Sequence, residues 1–318
     1  MNFNLAQIIA TLYLISLLGY LQTYSCPNIH NIRNSVVIIT GASSGVGAEL
    51  AVQYGAYGAN VVIAARRKAD LEAVGKLVKE KGAKDVLVVP TDTSDSTQCE
   101  HLIKATIEKF GHLDTLVINH AIMDDAMFMV HNTTASIDKA YLDLFKVNVM
   151  GNVYLSRIAI PYLEETSGHI AVVSSASAKV GCAFRGAYVT SKNALHGFYS
   201  TLRGELNLLH SKVTIGVQVL SMIATPEITK EPALVASGFA MPVDACAAEM
   251  ICAVQSKWEE TYIPKSIAPW AWITMIFPGL NEFAVNMVYA SKVERYVDYV
   301  KNFGGSEGLK KAFFSASK

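Results

Sequence analysis

Beyond residue 35 the chain alternates short runs of aliphatic and β-branched residues with longer stretches in which apolar positions recur at helical spacing. The runs at 36–40, 60–65, 86–89, 115–118, 169–174 and 213–220 predict six strands, and 261–263 a seventh. Each run is apolar almost throughout. That continuity is expected of strands covered by helices on both faces, whereas a strand with one wet face would alternate. Strands and helices taking turns imply repeated βαβ units, hence an α/β chain built on a doubly wound parallel sheet. No internal repeat, low-complexity tract or Pro-rich linker breaks the pattern before the C-terminal region.

The two ends depart from it. From Leu5 to Leu21 the only clearly polar side chains are Gln7, Thr11 and Ser16, and no formally charged one precedes Arg33. A helix of that length measures about 25 Å, just under the roughly 30 Å of bilayer hydrocarbon. An N-terminal apolar anchor helix within residues 1–25 is therefore expected. A cleaved secretory signal is the rival, but it carries a basic start, and Met1 to Asn4 hold no Lys or Arg. Burial as a core helix fits poorly, because the segment precedes the first strand. Orientation is not encoded, since only Arg33 follows closely. The sequon Asn132-Thr133-Thr134 would accept a glycan only if the domain faces a lumen. At the other end, 267–280 holds Trp270, Trp272, Met275, Ile276 and Phe277 between prolines 269 and 278, too short and broken to span a bilayer. Membrane-surface contact, a dimer interface and core packing all suit it, and the polar, helix-like 281–303 suits dimerisation. The division expected is an anchor segment at 1–25, a catalytic domain at 33–265 and a helical extension at 266–318.

Composition narrows the partners. The 27 basic and 27 acidic side chains cancel, leaving no excess charge to grip a nucleic-acid backbone. The apolar fraction of 51% is high for a soluble protein, and the excess lies at the ends. Cys26, Cys99, Cys182, Cys246 and Cys252 form an odd set without CxxC spacing or a nearby His pair, which predicts neither a disulfide framework nor a metal site. Cys246 and Cys252, in an Ala-rich helical stretch, read as small buried hydrophobes.

Directly behind the first predicted strand stands Thr40-Gly41-Ala42-Ser43-Ser44-Gly45-Val46-Gly47, with a helical run from Ala48 to Tyr57 after it. Gly41 permits a tight turn, Gly45 lets backbone approach a dinucleotide, and Gly47 lets the helix pack closely with its N-terminus towards a pyrophosphate. Three glycines alone would be ordinary turn residues; the strand before and helix after make them a Rossmann-type site. At the end of the second strand, where an acid would hold a ribose 2′-hydroxyl, the sequence reads Ala64-Ala65-Arg66-Arg67. A guanidinium there suits a 2′-phosphate, so NADP(H) is expected over NAD, with Arg66 preferred and Arg67 the other candidate. Asp92 with Thr93 suits the adenine edge, and Asn119-His120-Ala121 lies where backbone passes the cofactor. His120 has no acidic or nucleophilic partner nearby in sequence and is given no catalytic role.

Proton chemistry points further along. Tyr188-Val189-Thr190-Ser191-Lys192 opens a helical stretch running to about His210, and i, i+4 spacing puts phenol and ammonium on one face. A phenol near its ordinary pKa of about 10 is a poor shuttle at neutral pH, but an adjacent cation favours its phenolate. The pair could then serve as acid or base. Ser174 and Ser175 end the fifth strand at the carboxyl edge, where open α/β sheets place ligands, and Ser175 could hold a carbonyl. Asn148 interrupts an apolar run; its bland role is a satisfied buried amide.

In this order TGASSGVG, NHA, VN, SS and YVTSK resemble the short-chain dehydrogenase/reductase family, over residues 35 to about 265. The resemblance implies that Tyr188 exchanges the proton, Ser175 orients the carbonyl, Lys192 binds the nicotinamide ribose and tunes Tyr188, and Asn148 supports a proton-relay water. Ser175, thirteen residues before the tyrosine, matches the family's serine better than Ser174. Within the family the chain is similar to the 11-beta-hydroxysteroid dehydrogenase-like group, through its apolar N-terminus, Ala64-Ala65-Arg66, Asn119-His120-Ala121 and 220–225, where Ile223 and Thr225 would meet the nicotinamide. It departs at Leu220-Ser221, commonly Pro-Gly, and at Ser44, often basic in NADP users. Pro226, Pro232 and Pro242 punctuate an apolar stretch resembling the family's mobile substrate loop, which implies a lipophilic substrate. The expectation is an NADP(H)-dependent enzyme of the endoplasmic reticulum membrane, a homodimer, interconverting a secondary alcohol and a ketone, on a steroid first. A retinoid, fatty or xenobiotic carbonyl would suit the same residues, and a secreted form would follow from cleavage. A membrane-attached NADP-binding scaffold or redox sensor would have no requirement for Tyr188, Lys192, Ser175 and Asn148.

Overall fold

Every apolar run is a strand: β1 (Val36–Thr40), β2 (Asn60–Ala65), β3 (Asp85–Pro90), β4 (Thr115–Ile118), β5 (His169–Ser175), β6 (Thr214–Leu220) and β7 (Glu260–Ile263). All pair in parallel, in the order β3-β2-β1-β4-β5-β6-β7. The computed structural model describes residues 29–280 except 124–127, 129–132, 183–184, 227 and 231–239, together with Ala10, Thr11, Leu14, Ile15 and Leu18.

Successive side chains of a strand point to opposite faces. Val36 and Ile38 accordingly join one core and Val37 and Ile39 the other, all fully buried. The first core is closed by α3 (Ser96–Phe110) through Leu102 and Ile103, α5 (Gly151–Thr166) through Leu155 and Leu163, and α6 (Gly186–Leu208) through Leu195 and Tyr199. The second is closed by α1 (Gly45–Ala56) through Leu50 and Tyr54, α2 (Lys68–Glu80) through Leu71 and Val78, and α7 (Val243–Gln255) through Met250 and Val254. Two covered faces explain the unbroken apolar runs. The connections leave β1 and β4 in opposite directions, which opens a crevice at their carboxyl ends.

Two features were not legible in the sequence, the turn around Asn148 and a disulfide at Cys252, while a third fell where a helix was expected. The stretch around Asn148 is interrupted: α4 (Thr134–Phe145) runs into a π-turn, Lys146–Met150, before α5 begins. Cys246 and Cys252 are both buried as expected, but Cys252 is disulfide-bonded, which corrects the expectation of no disulfide. The broken segment after β7 forms α8 (Ile267–Ile276), with Ala268, Ala271 and Ile273 buried and Met275, Ile276 and Phe277 exposed. Among the described residues no helix is long and apolar enough to cross a membrane. The five described positions before residue 29 are helical and exposed, with Leu14, Ile15 and Leu18 more than half accessible. The rest of the expected anchor, the sequon's Asn132, most of the substrate loop and 281–318 lie outside the described residues.

Candidate active site

A cleft of about 430 Å³ opens at the carboxyl edge over the β1/β4 crevice. Of the residues expected to hold a cofactor, Gly41, Ser43, Ser44, Gly45, Val46, Arg66, Arg67, Asp92, Thr93, Asn119, His120, Ala121 and Thr225 line it, and so does Tyr188. Gly47 lies beneath rather than in the wall: a Cβ there would stand 2.4 Å from the carbonyl oxygen of Gly41 and 2.5 Å from Asn119 Nδ2. Bare backbone at 47 lets the first turn of α1 close on the loop, and Asn119 Nδ2 ties that loop by donating to the oxygens of Thr40 (3.1 Å) and Gly41 (3.3 Å). Ile223 is buried beside the cleft, where its segment bridges Met241.

At the far end of the cleft both arginines line the wall. Arg67, not the preferred Arg66, reaches the glycine loop: its Nη2 donates to Ser43 Oγ at 3.0 Å and Ser44 Oγ at 3.2 Å, while its Nε meets Asp70. The positive charge that the resemblance places at position 44 thus arrives beside Ser44 from the next strand's end. Asp92 Oδ1 accepts from the backbone N–H and hydroxyl of Ser94 (3.0 and 2.8 Å), which holds that turn in place.

The proton-transfer candidates converge from three elements. Tyr188 is buried near the start of α6, and Lys192 one turn later stands with Nζ 5.7 Å from the tyrosine ring centroid. Lys192 Nζ donates to the backbone oxygen of Val173 on β5 at 2.8 Å. Burial pulls its ammonium down to about 8. Ser175 ends β5 and its Oγ accepts from the N–H and hydroxyl of Ser177 (3.2 and 2.8 Å). With those lone pairs engaged, its own proton is the part left to donate. Asn148 is wholly buried: Oδ1 accepts from Ile122 N (2.8 Å), and Nδ2 donates to Ile122 O (2.9 Å) and Ser191 Oγ (3.0 Å). Its side chain is therefore a satisfied clamp. His120 is buried with both ring nitrogens in contact, and burial, helped by the nearby Lys192 charge, brings it down to about 4, so it stays neutral.

Several supporting residues escaped the sequence reading. Ser191 donates to Tyr188 O at 2.8 Å while receiving Asn148; its place on the Tyr188 face, three residues on, was the available signal. Behind the site, Ser174 turns away from Ser175 to meet His196 Nε2 at 2.8 Å, and His196 Nδ1 lies 3.3 Å from Glu260 Oε2 on β7. Glu260 also accepts from Lys179 Nζ (2.9 Å) and the Tyr262 hydroxyl (2.7 Å). Burial alone would raise this carboxyl, but the bonds from His196, Lys179 and Tyr262 outweigh it and bring the group down to about 2. No local sequence pattern joins residues so far apart along the chain.

A family model described as short chain dehydrogenase matches residues 35–233. The chain is 33% identical over 254 residues to hydroxysteroid 11-beta-dehydrogenase 1-like protein A of Xenopus laevis, covering 80% of this chain and 86% of that protein. It is 30% identical over 274 residues to 11-beta-hydroxysteroid dehydrogenase-like 2 of Arabidopsis thaliana, covering 85% and 86%. Among solved structures it is similar to a short chain dehydrogenase/reductase from Burkholderia phymatum in complex with NAD. That likeness has a TM-score of 0.69 at 22% identity and covers 78% of this chain and 95% of that one.

Proposed function

This chain belongs to the short-chain dehydrogenase family, and on that premise we propose that it is an NADP(H)-dependent oxidoreductase interconverting a secondary alcohol and a ketone on a lipophilic molecule, a steroid first. The observation that carries the proposal is the buried Tyr188 and Lys192 pair beside a dinucleotide-sized cleft. The bare glycine loop fits a nicotinamide dinucleotide, and the two arginines fit its 2′-phosphate. When bound, the nicotinamide supplies or accepts the hydride.

In the reducing direction Tyr188 gives its phenolic proton to the substrate oxygen, and the Lys192 ammonium 5.7 Å from its ring favours the phenolate left behind. Ser175 donates its hydroxyl proton to the same oxygen as negative charge grows there, a position its bonds from Ser177 hold ready. Asn148 keeps Ile122 and Ser191 in place, and through Ser191 the start of α6. Arg67 selects the phosphorylated cofactor from its place beside Ser43 and Ser44. The names of the relatives from Xenopus and Arabidopsis favour a hydroxysteroid as substrate.

We place the enzyme at the endoplasmic reticulum membrane through its N-terminal segment, with the catalytic domain in the lumen and as a homodimer. The exposed helical Leu14, Ile15 and Leu18 support the anchor. The disulfide at Cys252 supports an oxidising compartment. The exposed Met275 and Ile276 of α8, with Phe277 just past its end, offer apolar surface to a second copy.

The test is a panel of steroid, retinoid and fatty carbonyls with NADPH and NADH, run on the wild type and Arg67→Ala. Steroid reduction favouring NADPH is expected, with that preference falling on the order of tenfold or more when Arg67 is removed. Equal use of both cofactors by the wild type would refute NADP selectivity, and turnover confined to non-steroid carbonyls would refute the steroid.

A further inference from the structure

His120 lines the cofactor cleft, yet both of its ring nitrogens are turned to protein. Nδ1 lies 2.9 Å from Thr40 Oγ1, and that oxygen already accepts the backbone N–H groups of Asn119 (3.0 Å) and His120 (3.3 Å). The threonine's proton therefore goes to Nδ1, its other acceptor, Val117 O, being farther at 3.4 Å. The imidazole proton must then sit on Nε2, which donates to Val147 O at 3.0 Å. Thr40 ends β1, and Val147 lies in the π-turn. One neutral ring thus joins the end of β1 to the turn that carries Asn148.

The fit is close. A Cβ on Gly151, just past the π-turn, would stand 2.7 Å from His120 Nε2 and 2.8 Å from Thr93 O. Only a bare α-carbon leaves the ring its place against Val147. Asn152, one residue on, takes the next carbonyl of the turn, its Nδ2 donating to Asn148 O at 2.7 Å. Asn152 Oδ1 in turn accepts from the buried Tyr199 hydroxyl at 2.9 Å. Side chains thus hold two successive carbonyls of a turn whose π geometry departs from α-helical pairing. From that turn Asn148 reaches Ser191, and Ser191 reaches Tyr188 O.

We infer that His120 is a positioning residue for Tyr188, setting the π-turn that places Asn148 and, through Ser191, the start of the catalytic helix. The inference rests on the oxidoreductase reading. It distinguishes His120 from a cofactor ligand, because both ring nitrogens are engaged by the protein and neither is left to bond the cofactor.

Three proteins test it: wild type, His120→Leu and His120→Gln, each measured for kcat with a carbonyl substrate and for NADPH affinity by fluorescence titration. Gln keeps an N–H donor where Nε2 stood, and Leu keeps none. Expected is a kcat loss on the order of 10- to 100-fold in His120→Leu, NADPH affinity within about threefold of wild type, and recovery of most of the loss in His120→Gln. An unchanged kcat in the Leu variant would overturn the inference. So would a parallel loss of NADPH affinity, or a Gln variant no better than Leu. Should the Leu variant fail to fold, His120→Asn replaces it, since it keeps an acceptor towards Thr40 but stops short of Val147, and the same outcomes apply. A wild type without turnover that still binds NADPH would count against the oxidoreductase reading; a loss confined to the variants' kcat bears on His120.

Discussion

Lys192 shows how one residue can weaken the fold it serves. Its folded pKa of about 8 lies below the ordinary 10.5, because burial disfavours the ammonium. Below about pH 8 folded and unfolded chains both carry the proton, and the folded state bears the whole cost, about 3 kcal/mol. Between about pH 8 and 10.5 only the unfolded chain holds it, so stability rises with pH across that window. Lys192→Met should therefore abolish turnover yet stabilise the cofactor-free protein at pH 7 by a net of about 1–3 kcal/mol once the bond to Val173 O is lost, seen as a higher melting temperature. Thermal unfolding at pH 7 and pH 10 checks this, the variant's advantage shrinking at the higher pH. Residue types at fixed spacing made Tyr188, Lys192 and Ser175 legible in the sequence. Side-chain direction is less legible: Arg66 and Arg67 are adjacent and identical, and only the path of the chain into α2 decides that Arg67 meets Ser43 and Ser44.

Elements locate these residues, and here the sequence was read almost whole. Strands β1, β2 and β4 have the bounds expected, and β3, β5, β6 and β7 differ only at their ends. Buried parallel strands announce themselves by unbroken apolarity, whereas the π-turn at Lys146–Met150 has no composition of its own and was missed. The ties between elements were equally hidden. Glu260 on β7 gathers Lys179 from the turn after β5 and His196 from α6, and so braces the backs of two catalytic elements against the sheet edge. Glu260→Gln removes the charge these bonds assist and should cost roughly 1–3 kcal/mol in denaturant unfolding at neutral pH. Because the folded pKa, about 2, lies below the ordinary 4.5, this stabilisation is complete above about pH 4.5 and is lost as pH falls towards 2. The difference between wild type and variant should narrow over the same range. A constant difference down to pH 2 would assign the cost to packing.

At the scale of the whole molecule the fold supplies a cleft, and the proposed address at a membrane rests on the ends. Apolar side chains exposed before residue 29 and at the end of α8 lie apart from the two cores, as expected of surfaces that face lipid or another chain. A disulfide at Cys252 accords with a lumenal domain, and in that case Asn132 is available to the glycosylation machinery. Protein expressed in cells should then show a mobility shift that an endoglycosidase removes and Asn132→Gln abolishes; an unshifted band would turn the domain to the cytosol. The central claim is that a buried tyrosine beside a buried lysine moves a proton while a nicotinamide cofactor exchanges hydride. Its most direct test is NADPH consumption with a steroid ketone by the wild type and Tyr188→Phe, each first shown to bind NADPH with the same affinity. The account predicts turnover in the wild type and a loss on the order of 100-fold or more in the variant; equal turnover in the two would contradict it.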